Sequence, residues 1–73
     1  MNYIEILNLS QKELKKCKIP SPSLDCEILL SKVLNVKREY LLTNLDKKIT
    51  EKEKIFFIKC VNRRKKKEPI AYI

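Results

Sequence analysis

The sequence predicts an all-α fold, a small bundle of four helices plus a short fifth helical segment over residues 68–73. Three observations carry this. There is no glycine and there are only three prolines, so the tight turns of a hairpin-rich fold can scarcely be built. Hydrophobic residues make up 44% and charged residues 36%, a balance that suits a folded helical domain rather than a disordered chain. Apolar residues also recur at three- and four-residue spacing along most of the length. At 73 residues the chain is one small domain. A domain of that size buries about 60–65% of its unfolded surface, which leaves a thin margin of stability.

The elements follow in order. Residues 3–17 place Tyr3, Ile6, Leu7, Leu14 and Cys17 on one helical face. Ser10 and Glu13 have capping-box spacing, which would let a helix restart at Ser10, but no proline or glycine interrupts the segment and a single helix is the better reading. Pro20 drives Ile19 out of the α region, and Pro22 suits the first position of a second helix with Ser21 as its cap. Asp25 and Glu27 then fall near the positive end of the helix dipole. Cys26, Leu29, Leu30 and Val33 form a core-facing stripe, and Asn35 can end the helix in the left-handed conformation.

The stretch VKREYLLTNLD predicts a helix of about two turns with Tyr40, Leu41 and Leu42 packing inward. Thr50 and Glu53 have capping-box spacing, with Ile49 in the place of a hydrophobic staple. From there to about Lys66, Ile55, Phe56, Phe57, Ile58, Cys60 and Val61 cover most of the circumference, which predicts the central helix of the domain. Its polar strip is narrow and consists of Lys52, Lys59 and Arg63. Arg63 to Lys67 suit a helix C-terminus, where free carbonyls and the negative dipole end attract cations.

The net charge of +8 is concentrated late in the chain. Residues 47–67 hold ten Lys/Arg and two Glu, whereas residues 1–46 hold seven Lys/Arg against six Asp/Glu. That asymmetry points to an acidic partner facing the last third of the chain, or simply to a solvated lysine-rich helix. The cysteines Cys17, Cys26 and Cys60 are odd in number, lack C-x-x-C spacing and have no histidine beside them, so they read as free thiols in a reducing compartment. A glycine-rich phosphate loop, a metal-ligand cluster and a Ser-His-Asp set are all missing, and Asp25 and Glu27 diverge on a helix. No catalytic, cofactor-binding or metal site is expected in these residues. No apolar run reaches membrane-spanning length and no signal peptide is visible, so a cytoplasmic location is expected, with no membrane partner.

Two stretches carry a family likeness. IPSPSLDCEILLSKVLNVKREYLL resembles the segment near the N-terminus of the release factor glutamine methyltransferases, the PrmC or HemK family. There a small residue and Ile precede Ser-Pro, followed by Leu-Asp-Ala-Glu-Leu-Leu-Leu, a helix end and Arg-x-x-Leu-Leu. RRKKKEPIAYI resembles that family's Arg-Arg, two variable residues, then Gly-Glu-Pro-hydrophobic-Ala-Tyr-hydrophobic. The spacing between the two stretches also fits, and the resemblance covers essentially the whole chain. The departures are Lys18, Asn35 and Lys67 where the family favours Gly, and Cys26 where it favours Ala.

The resemblance implies that residues 1–73 are a single N-terminal helical domain, followed in the family by a Rossmann-like methyltransferase domain that this chain lacks. The full-length enzyme would use S-adenosyl-L-methionine to methylate the Gly-Gly-Gln glutamine of class I peptide chain release factors. This fragment would bind no cofactor, have no activity alone, and help to dock and orient the release factor. The expected partner contacts are Lys52, Lys59 and Arg63; Glu68, Pro69 and Tyr72 are expected at the junction with the catalytic domain. Two rival readings are a stand-alone basic module that binds nucleic acid through residues 47–67, and a helical adaptor without electrostatic preference. Against the nucleic-acid reading, the cations are mixed into an apolar helix and no helix-turn-helix spacing with a Gly turn is visible.

Overall fold

The computed structural model describes residues 1–73 and contains four α-helices and one 3-10 turn: α1 (Tyr3–Lys16), α2 (Pro22–Leu34), α3 (Arg38–Thr43), α4 (Glu51–Lys65) and a turn at Ile70–Tyr72. The all-α expectation holds, and α1 runs unbroken through Ser10. Ser10 is no cap. It is buried in mid-helix, and its hydroxyl donates to the Ile6 carbonyl at 2.7 Å, which satisfies it without a partner on another element.

Two of the helix starts, those of α1 and α4, are closed by capping boxes. α1 opens on a capping box in which the Asn2 side chain accepts from the Glu5 amide and the Glu5 carboxylate accepts from the Asn2 amide. The loop between α3 and α4 supplies the rest: the Tyr3 amide donates to the Lys47 carbonyl at 2.9 Å and that of Ile4 to the Leu45 carbonyl at 3.0 Å. The first three amides of α1 are thereby all paired, and the chain's N-terminus is pinned to the loop that precedes α4. α4 opens on the expected Thr50–Glu53 box, at 3.1 and 2.9 Å. Ile49 is buried in the core, and the position it would staple to is Lys54, so it packs with the core rather than forming a hydrophobic staple. α2 has Pro22 in its first turn as expected, but the Ser21 hydroxyl caps no amide and donates to Asp25 Oδ1 at 3.2 Å.

The three long helices end alike. Lys18, Asn35 and Lys67 adopt φ of 60°, 56° and 68°. In each case the next amide reaches back to the helix's last turn: Ile19 to the Leu14 carbonyl, Val36 to Ser31 and Glu68 to Arg63. These are Schellman turns built without glycine. They fall at the three positions where the family resemblance expects glycine, which explains that preference in terms of backbone conformation.

One apolar cluster holds the helices together: Tyr3, Ile6, Leu7 and Leu14 of α1, Ile19, Cys26, Leu29 and Leu30 of α2 and its approach, Leu41, Ile49, and Phe57 and Val61 of α4. Two expectations need correction here. In α3 only Leu41 is buried, while Tyr40 and Leu42 are 40% and 42% exposed. A helix of six residues resting on the domain's edge can turn only one of three adjacent side chains inward. In α4, Ile55, Phe56 and Ile58 lie at the surface, so this helix is not central. That position belongs to α2, which packs against α1, α3 and α4. An apolar circumference signals burial only if other elements exist to surround it, and a chain this short has too few.

Candidate docking surface and C-terminal junction

The outward face of α4 is apolar and basic together. Lys52, Phe56, Lys59 and Arg63 succeed one another along one side at helical spacing, and Lys59 Nζ sits 5.8 Å from the centre of the Phe56 ring. Lys52, Phe56 and Lys59 are exposed, and Ile55 and Ile58 lie beside them at the surface. Ile58 continues into a shallow groove of about 320 Å³ between α1 and α4, which is also lined by Met1, Leu9, Lys54 and Lys65. A surface of this kind can bury aliphatic and aromatic carbon while its rim of cations meets an acidic partner.

The three predicted contact residues do not share one state. Lys52 and Lys59 make no ion pair. Arg63 does: its Nε donates to Glu68 Oε2 at 2.8 Å, and its Nη2 donates to Glu68 Oε1 at 2.6 Å and to the Tyr72 carbonyl at 2.9 Å. The hydrogen-bonded Arg63 guanidinium holds the Glu68 carboxyl below its ordinary value, and Glu68 raises Arg63 in return. Two of the predicted junction residues are thus bound to a residue predicted for the partner surface. Pro69 precedes the 3-10 turn, and its carbonyl accepts from the Tyr72 amide at 3.0 Å. The Tyr72 side chain points away from the core, at 74% exposure, whereas Ile70 and Ile73 pack partly against the core.

Sequence reasoning does not single out Asp25 and Arg64 for each other. Asp25, expected simply to favour the positive end of the α2 dipole, is buried and receives Arg64 Nε at 2.9 Å. Glu27 faces elsewhere and pairs with Arg38 at 3.0 Å, so the divergence of these two carboxylates holds. Beside α3, Lys47 Nζ donates to the Tyr40 hydroxyl and lies 5.0 Å from its ring centre; that hydrogen bond raises the Lys47 ammonium above its ordinary value.

No three His, Cys, Asp or Glu side chains converge as metal ligands, and no helix is long and apolar enough to cross a membrane. The three cysteines are free thiols. Burial pushes the Cys26 thiol up to about 12, with Asp25 and Glu27 adding to the effect, so it stays protonated and inert at neutral pH. Cys60 is also raised by burial, against the opposing pull of Arg63 and Lys32.

Comparison with known proteins decides the family. The family model described as the PrmC N-terminal domain matches residues 5–73. The chain belongs to this family. Among curated relatives, this chain is 40% identical over 72 residues to a release factor glutamine methyltransferase of Leptospira interrogans, covering 99% of this chain and 25% of the relative. It is 45% identical over 60 residues to another of that name from Clostridium botulinum, covering 82% and 21%. A bifunctional methyltransferase of Rickettsia felis is 45% identical over 69 residues, covering 94% and 13%. The chain therefore spans a quarter or less of the length of these relatives. No solved structure matches.

Proposed function

We propose that this PrmC N-terminal domain is the docking part of a peptide chain release factor glutamine methyltransferase. As a small helical bundle it grips a class I release factor at a distance from the Gly-Gly-Gln loop and orients that loop toward a catalytic domain. The observation that carries this is the outward face of α4, where Lys52 and Lys59 stand unpaired around the exposed Phe56, Ile55 and Ile58. Methylating one glutamine of a large protein needs that protein held in register, and a second grip supplies orientation that a single loop cannot. Relatives named as methyltransferases support the wider assignment: a Rossmann-like domain, outside this chain, would bind S-adenosyl-L-methionine and carry out the transfer.

Within this chain the residues recognise and hold. Lys52 and Lys59 speed encounter with an acidic patch, while Phe56, Ile55 and Ile58 supply the apolar centre of the contact. Glu68, Pro69 and Tyr72 form the junction with the catalytic domain. Titration of the 73-residue chain with a class I release factor, followed calorimetrically at low and moderate salt, tests the docking role. Binding is expected, weakening with salt and with Lys52→Glu/Lys59→Glu. Absence of binding at low salt contradicts the proposal. Binding of RNA but not of the release factor replaces it with the nucleic-acid reading.

A further inference from the structure

The geometry points to Arg63 and Arg64 as a paired clamp that sets the direction in which the chain leaves the domain at Ile73. The Schellman turn at Lys67 fixes the chain only as far as Glu68. Beyond it, Pro69 has no amide to donate. The backbone bonds of residues 69–73, from Tyr72 to the Pro69 carbonyl and from Ile73 to that of Ile70, are internal to the 3-10 turn and tie it to nothing else. The Arg63 bond to the Tyr72 carbonyl is the only hydrogen bond that joins residues 69–73 to the helices. Just upstream, Arg64 Nη1 donates to the Glu68 carbonyl at 3.0 Å.

Adjacent residues on a helix point about 100° apart, and the two arginines use that divergence. Arg63 reaches over the surface and takes the Glu68 carboxylate with both arms of its fork. Arg64 turns inward, where the same side chain that holds the Glu68 carbonyl also reaches the buried Asp25. The turn is thus fastened on one side to α4 and on the other, through Arg64, to α2. Apolar packing of Ile70 and Ile73 presses it down, but apolar contacts slide where a forked pair does not. Both arginines are positioning residues that act on the orientation of any chain beyond the turn. Their consequence for methyl transfer rests on the docking role proposed above, because a loop presented by one domain reaches the chemistry of another only if the angle between them is held.

Arg63 variants test this, since Arg64 also sustains the fold. Arg63→Lys keeps the cation but lacks the fork; Arg63→Gln loses both. In the 73-residue chain, backbone order parameters of residues 70–73 should fall from about 0.85 to below about 0.6 in both variants, with Leu29 and Leu30 unchanged. Lys59→Gln, a neighbouring cation outside the clamp, should leave them at the wild-type level. Unchanged order in both Arg63 variants overturns the clamp, and this readout does not depend on any enzymatic role. In the longer methyltransferase, both variants should lower kcat by a similar factor at every salt concentration. A wild-type rate for Arg63→Lys, with loss and flattened salt dependence only for Arg63→Gln, would make Arg63 a partner contact and overturn its positioning role.

Discussion

Arg64 Nε donates to Asp25 Oδ2 at 2.9 Å, joining α4 to α2 across 39 residues of sequence. The side chains are 17% and 7% exposed, so the pair is largely withdrawn from water. Removing one partner leaves the other charge buried without compensation. Arg64→Met should therefore destabilise the domain by about 3 kcal/mol in urea unfolding, and Arg64→Met/Asp25→Leu should recover much of that loss. A single-variant loss below about 1 kcal/mol would mean that water reaches Asp25 freely.

The glycine-free helix ends give a prediction of opposite sign. Lys18 and Lys67 hold a left-handed backbone that costs a residue with a Cβ about 1–2 kcal/mol, part of which glycine returns through its greater freedom when unfolded. Lys18→Gly and Lys67→Gly should each stabilise by roughly 0.5–1 kcal/mol. In a domain this small that raises Tm by about 2–8 °C for each substitution. Asn35→Gly should gain less, since asparagine tolerates this conformation. A fall in Tm for both lysine variants would contradict the turn geometry.

Phe57 and Phe56 are neighbours in sequence with opposite surroundings: 0% and 52% exposed. Phe57→Ala should cost about 3–5 kcal/mol, enough to unfold much of the population. Phe56→Ala should stay within about 0.5 kcal/mol in stability while weakening release-factor binding. Equal stability losses at the two positions would mean that the inward face of α4 is misassigned.

The Arg63–Glu68 pair makes the C-terminal turn sensitive to acid. Arg63 lowers the Glu68 carboxyl from its ordinary 4.5, so the folded state favours the ionised form. Its contribution is complete above 4.5 and is lost as pH falls through the lowered value. Amide exchange at Tyr72 and Ile73 should quicken in acid relative to the intrinsic rate, and Glu68→Gln should show the quickened state already at neutral pH. Protection that is flat across this range would place Glu68 outside the tie.

Local chemistry is legible in the sequence and long-range partnership is not. The Thr50–Glu53 box, the Pro20–Pro22 break and the left-handed end at Asn35 depend on residues close in sequence, and all three stand where expected. Asn2 and Glu5 have the same box spacing as Ser10 and Glu13, and only the first pair caps a helix, because spacing does not report whether the chain is already helical before the box, as it is before Ser10. The exposure of Phe56, Ile55 and Tyr40 depends on how many elements surround each helix, which periodicity does not report. Arg63 resembles the other two cations of the strip because spacing places it there. Its engagement with Glu68 and Tyr72 comes from the chain folding back after Lys67, which only the structure reveals.

The docking role is tested most directly by methylation of a class I release factor by the full-length enzyme carrying Lys52→Glu/Lys59→Glu. Arg63 is left intact so that the clamp is not disturbed. Charges at the rim of an interface act mainly on encounter, so kcat/KM should drop by roughly tenfold at low salt and lose most of its salt dependence, with kcat at saturating release factor nearly unchanged. A kcat/KM equal to wild type at both low and moderate salt would contradict the account and leave the α4 lysines as a solvated face.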